Sequence, residues 1–182
     1  MMIGGGVLAA GTAGAVGLGF SRTGSMADYA AAMAAQRAVL AAHPQFPDLI
    51  RYATLAANGH NTQPWRFQVA PGRISILPDL SRRTPVVDPD DHHLFVSLGC
   101  VAENLALAAT ATGKRGEPRF DPGGIGSIAF AFEAGPAERS ALFNAIPTRQ
   151  STRADYDGRP VPVADLKVLA AAARFPAAIW CC

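Results

Sequence analysis

The run Leu55-Ala56-Ala57-Asn58-Gly59-His60-Asn61-Thr62-Gln63-Pro64-Trp65-Arg66-Phe67-Gln68-Val69 constrains this chain more than any other segment. An apolar helical stretch stops at Asn58-Gly59, a polar turn follows, and an alternating strand begins at Trp65. A turn that points side-chain amides and backbone N–H groups into one small space suits a ligand with many donors and acceptors. Within it, Gln63-Pro64-Trp65-Arg66-Phe67 reads as structural: Pro64 fixes the backbone ahead of the strand, and Trp65 and Phe67 share one face.

The 182 residues correspond to one domain, or one and a fragment. With 49% hydrophobic and only 16% charged residues, a sizeable core is available, and the abundance of Ala favours helices over a sandwich. A net charge of +2 with scattered arginines argues against a nucleic-acid partner. The three cysteines make no disulfide framework: Cys100 reads as a small core residue, and Cys181-Cys182 are adjacent and lack metal-ligand spacing. Residues 1–20 carry no charge and are diluted by seven glycines, ahead of Ser21-Arg22. An export signal, an uncleaved membrane anchor and a structural apolar N-terminus all fit this composition, and Ser25-Met26-Ala27 has small residues at signal-peptidase spacing. Residues 1–24 are expected to lie outside the folded core. The signal reading predicts contact with export machinery or a membrane and an exported, periplasmic or membrane-associated protein; without it, the protein is expected in the cytoplasm.

Along the chain, helices are expected over Asp28–Ala42, capped by Asp28, and over Pro47–Ala57. Trp65–Val69 and Arg73–Leu77 flank Pro71-Gly72 as a hairpin. A loop over Asp79–Asp91 leads to a long helix, about His92–Thr112, capped by Asp90 or Asp91 and stopped by Gly113; Leu94, Leu98, Val101, Leu105 and Ala108 recur at helical spacing. A strand over Ile128–Glu133 and helices over Ala137–Ile146 and Val163–Ala173 complete the pattern. The reading is an α+β domain whose hairpin packs on the long helix. At Thr148 the chain turns polar, so residues 148–182 read as the truncated start of a second unit after a first unit over 25–147.

Several motifs have bland readings. Asp90-Asp91-His92-His93 is a helix cap with surface histidines, because adjacent residues on a helix diverge and no third metal ligand is spaced to join them. Arg82-Arg83 reads as a solvated loop pair. Gly123-Gly124-x-Gly126 does not follow a strand and open a helix as a dinucleotide loop does. No serine, cysteine or histidine has the partners of a nucleophilic triad.

The segment from Asn58 to Trp65 resembles the N-x-Q-P-W signature of the nitroreductase family, and Arg149-x-Ser151-x-Arg153 resembles that family's R-x-S-x-R entry motif. The order is reversed relative to the family's single-unit members, which matches the Acg-like subfamily, where two nitroreductase-like halves are fused, often behind a twin-arginine (Tat) signal. The twin arginine itself is missing here. The resemblance covers roughly residues 28–175. It implies an FMN-dependent oxidoreductase of nitroreductase-like α+β fold, with hydride passing from NAD(P)H through the flavin to a nitro-aromatic or quinone-like small-molecule acceptor. It further implies a pseudo-dimer within the full-length chain, the site combining Asn58, Gly59 and Asn61 of one half with Arg149, Ser151 and Arg153 of the other. Residue chemistry agrees: guanidinium forks match phosphate and flavin carbonyl oxygens, Ser151 adds a hydroxyl, and Asn61 donates and accepts in one plane. Gly59 permits close backbone approach. Two alternatives stay open: a protein that holds FMN without turnover, and a non-functional fragment.

Overall fold

A computed structural model describes residues 24–172. The signal-like segment up to residue 23 and Cys181-Cys182 therefore lie outside the described residues. The chain forms two compact units, one ending at Arg149 and one beginning at Gln150.

In the first unit, α1 spans Met26–Gln36 and α2 spans Phe46–Ala53. Ser25, not Asp28, caps α1: the Ser25 hydroxyl accepts from the Asp28 N–H at 3.0 Å, and the Asp28 carboxylate accepts from the Ser25 N–H at 3.2 Å. This reciprocal pair satisfies two backbone donors at the helix start. Both helices end earlier than their composition suggests. At the end of α1, Arg51 Nη1 donates to the carbonyls of Gln36 at 2.7 Å and Ala38 at 2.9 Å, while the Leu40 N–H donates to the buried Tyr52 hydroxyl at 3.0 Å. These contacts replace further helical turns. The end of α2 tightens, with Leu55 N–H donating to the Tyr52 carbonyl and Ala56 N–H to that of Ala53.

Strands β1 (Trp65–Ala70) and β2 (Arg73–Pro78) form the expected hairpin, with Ala70 opposite Arg73 and Gly72 at φ 70° in the two-residue turn. That positive φ is why glycine follows proline there. The long helix α3 spans His92–Thr110. Asp91 holds the N-cap position, and the capping carboxylates lie just upstream: Asp90 accepts from the His92 N–H at 3.3 Å, and the buried Asp88 accepts from the His93 N–H at 2.9 Å and the Leu94 N–H at 3.0 Å. Asp91 itself takes a left-handed φ of 60° and pairs with Arg83 at 2.6 Å.

After Gly113, at φ 75°, come two strands not evident in the sequence: β3 (Lys114–Arg115) and β4 (Pro118–Asp121). They are followed by β5 (Ser127–Ala131) and β6 (Glu133–Ala134). The main sheet is antiparallel with order β1-β2-β5-β4, and β3 pairs with β6. The glycine-rich turn thus does follow a strand, but it opens another strand, with Gly124 and Gly126 at positive φ. Pro118 sits at the first position of an edge strand, where its missing N–H is harmless. Helix α4 is confined to Ala141–Ala145, capped by Ser140, and places Phe143 on Tyr52 with ring centroids 5.5 Å apart.

The core lies between α2, α3 and the sheet. Leu98, Val101 and Leu105 of α3 meet Leu49 of α2 together with Ile74, Ile76 and Phe130 of β2 and β5. The hairpin does pack on α3, through β2. Cys100 sits half-buried at the edge of this cluster. By length and a mean hydropathy of 1.3, α3 is apolar enough to cross a membrane, and 44% of that window is buried in this core. In the second unit, α5 spans Val163–Ala172, and Arg159 pairs with Asp157 through Nε at 2.6 Å.

Leu105 is fully buried. Leu105→Ala should therefore cost about 2–5 kcal/mol, whereas Val96→Ala, on the exposed side of α3, should stay within about 0.5 kcal/mol. Urea unfolding midpoints of the two variants check this; equal losses would show that the buried face has been misplaced.

Candidate functional site

The turn between α2 and β1 is the most strained part of the described backbone. Four residues other than glycine have positive φ, and three of them, His60 (51°), Asn61 (57°) and Gln63 (48°), lie in this turn. Each such conformation costs on the order of 1–3 kcal/mol and persists only where the surroundings impose it. Three bonds impose it here. Ser97, buried in α3, accepts from the Gly59 N–H at 3.2 Å and donates to the His93 carbonyl at 2.6 Å. The Asn58 side-chain oxygen accepts from the Gln63 N–H at 2.9 Å. Arg82 Nη1 donates to the Thr62 carbonyl at 2.9 Å.

The two faces of the turn differ. Behind it, between Gly59, Thr62, Pro64, Arg82, His93 and Ser97, the free space is only about 10 Å³, roughly what one water needs, so that side is packed. In front, the side chains of His60, Asn61 and Gln63 are exposed. A shallow dent of about 570 Å³ on the sheet, between Arg73, Arg119, Glu117 and Glu133, shares no residue with the turn.

The arginines of the loop after β2 are not a free solvated pair. Arg82 spans the Thr62 carbonyl and Asp79, with Nε 3.6 Å from the carboxylate, and Arg83 binds Asp91. Asp79 anchors the far end of the hairpin: its N–H donates to the Pro64 carbonyl at 3.0 Å, and its carboxylate accepts from Arg66 at 3.0 Å and the Ser81 hydroxyl at 2.6 Å. The Arg66 guanidinium, with the Ser81 hydroxyl, holds the Asp79 carboxyl down to about 2. At Asp88, burial works to raise the pKa, but the N–H groups of His93 and Leu94 outweigh it and the net direction is downward. His93 adds Nδ1 3.1 Å from Asp88 while its ring stays exposed, so the histidine pair after Asp90-Asp91 serves the helix start.

The residues singled out in the sequence fare differently. Asn58 and the Gly59 N–H are engaged in holding the turn. Asn61 is exposed on its outer side. Arg149, at the end of the first unit, reaches the same region: its Nη2 donates to the Leu55 carbonyl at 3.0 Å, three residues before Asn58. Ser151 and Arg153 belong to the second unit and are exposed. Ser97 and Asp79 were not evident from the sequence. Of these only Ser97 left a sign, a lone hydroxyl among the apolar positions of α3.

No protein-family model matches the chain. Two proteins of Mycobacterium tuberculosis, from strains CDC 1551 / Oshkosh and ATCC 25618 / H37Rv, are each 32% identical to it over 146 residues, and both bear the name "Putative NAD(P)H nitroreductase". The match takes in 73% of this chain and 42% of each relative, so the chain spans less than half the length of the curated relatives it matches. This similarity supports kinship with nitroreductase-type oxidoreductases, and the mixed helical and antiparallel architecture is compatible with it.

Two outcomes test the clasped turn. Ser97→Ala leaves the Gly59 N–H without its acceptor and should cost about 1–3 kcal/mol in urea unfolding. The Asp79 carboxyl has a folded pKa below its unfolded value of about 3.9, so its contribution is present above that value and is lost as pH falls toward about 2. Wild-type melting temperature should therefore drop more steeply than that of Asp79→Asn between pH ~4 and ~2; parallel curves would remove Asp79 from this role.

Proposed function

We propose that this chain is part of an FMN-dependent oxidoreductase of nitroreductase type, with the turn after α2 as one wall of the flavin site. What carries the reading is the strained, externally clasped turn at Gly59–Gln63, in a chain 32% identical to two proteins named "Putative NAD(P)H nitroreductase". Strain kept by three separate bonds, with polar side chains on the open side, is what ligand-holding turns show.

The residues present fit such a cofactor. Asn61 offers a planar amide with both donor and acceptor for the polar edge of a flavin ring. Arg149 has committed Nη2 to the Leu55 carbonyl, and the rest of its fork suits an anionic or carbonyl oxygen. Ser151 and Arg153 join the set through the family resemblance. The Gly59 N–H and the Ser97 hydroxyl orient the turn, being engaged with each other and the His93 carbonyl, and the Asn58 side-chain oxygen closes it while its amide keeps an N–H for a ligand beside the bond to the Ala56 carbonyl. When bound, FMN supplies the redox chemistry, accepting hydride from NAD(P)H and delivering it to a nitro-aromatic or quinone-like acceptor. The protein's part is to bind, orient and exclude water. The same reading takes residues 148–182 as the opening of a second nitroreductase-like half that completes a pseudo-dimer, and residues 1–24 as a signal for export.

FMN fluorescence titration of the longest reading frame that contains this sequence tests the proposal. Arg153→Ala removes a charge-assisted bond of about 1.5–3 kcal/mol, which is roughly a tenfold to hundredfold loss of affinity. Asn61→Ala should lose about twofold to tenfold, and Arg153→Lys should recover only part, lacking the planar fork. Unchanged affinity in both alanine variants, with the fold intact, would show that these motifs are not the site.

A further inference from the structure

Three helix ends converge where the first unit closes, and three arginines hold them. Arg51 takes the carbonyls of Gln36 and Ala38 at the end of α1. Arg149 takes the Leu55 carbonyl just beyond α2. Arg37, half-buried at the C-cap of α1, donates through Nη1 to the carbonyl of Pro147 at 2.7 Å and to that of Arg149 at 3.0 Å, just beyond α4. Carbonyls at helix C-termini lack intrahelical partners and carry partial negative charge, so guanidinium groups are apt partners for them. The three arginines are not equivalent. Arg51 ties neighbouring stretches of chain, whereas Arg37 reaches carbonyls 110 and 112 residues further along.

We infer that Arg37 is a positioning residue for the flavin site: it grips the backbone on both sides of Thr148 and thereby holds Arg149, the first residue of the R-x-S-x-R segment, with its guanidinium on the Leu55 carbonyl beside the Asn58–Gln63 turn. This rests on the FMN reading above and deepens it. The grip has a second element, since the Arg149 N–H donates to the Ala145 carbonyl at 2.8 Å. Backbone and side chain of Arg149 are thus fixed separately, the first by Arg37 and α4, the second by Leu55. Among the described residues Arg37 makes no hydrogen bond to the turn and reaches Arg149 only at its backbone carbonyl, so its effect on a ligand would pass through Arg149.

The test compares wild type, Arg37→Ala, Arg37→Lys and Arg51→Ala in the longest reading frame containing this sequence. It reads FMN affinity by fluorescence titration, amide hydrogen exchange at Thr148 and Arg149, and the thermal midpoint. Arg37→Ala should weaken FMN binding by about tenfold and speed exchange at those two amides. Arg37→Lys, which keeps the charge but not the fork, should restore part of both. Arg51→Ala should lower the thermal midpoint while leaving FMN affinity within about twofold. If wild type binds FMN and Arg37→Ala binds equally well, or no worse than Arg51→Ala at similar loss of stability, the positioning role is overturned and the flavin reading stands. If wild type binds no FMN, the flavin reading falls and takes this inference with it, even where the exchange change persists.

Discussion

Burial of one face of α3 against α2 and the sheet is the constraint on which the remainder depends. Leu98, Val101 and Leu105 exclude water where α3 meets α2 and strands β2 and β5. At roughly 25 cal/mol per Å² of apolar surface, this is the term large enough to tolerate local strain elsewhere. Ser97 sits in that buried face, so the acceptor that holds Gly59 is immobilised by the core itself. Asp88 does the same at the start of the helix, turning the loop before it into a rigid support for Arg82 and Arg83.

The turn after α2 is therefore an imposed conformation. His60, Asn61 and Gln63 would relax from positive φ if the chain were free, since side chains other than glycine rarely occupy that region. They stay because α3 holds one end of the turn, Arg82 its middle and the Asn58–Gln63 bond its closing residue. Preorganisation of this kind lowers the entropy that a ligand must otherwise overcome on binding. It also separates roles within one short motif: some residues shape the turn, and others are left facing outward.

The arginines show a related division of labour. Arg37, Arg51, Arg82 and Arg149 donate to backbone carbonyls at the ends of helices and turns. A chain with only 16% charged residues spends these four on fixing its own connections. That use accompanies the early ends of α1 and α2, where arginine donors take carbonyls that a longer helix would have paired with backbone N–H groups.

The sequence by itself determined the elements whose signals are local and periodic. Alternation at Trp65–Leu77 and the Pro71-Gly72 turn specify the hairpin, the spacing of Leu94 through Ala108 specifies α3, and Gly113 specifies its stop. The polar turn at Asn58–Gln63 and its resemblance to N-x-Q-P-W were equally legible, because they reside in contiguous residues. Tertiary structure alone decided which groups hold that turn. Ser97 lies 38 residues from Gly59, Arg82 lies 20 from Thr62, and Arg37 lies 112 from Arg149. It also decided that Asp88 and Ser25 cap their helices, and that Pro118–Asp121 is a strand, since β4 exists only through pairing with β5. Periodicity reports on neighbours three or four residues apart, whereas a hydrogen bond closed across a packed core has no counterpart in local pattern.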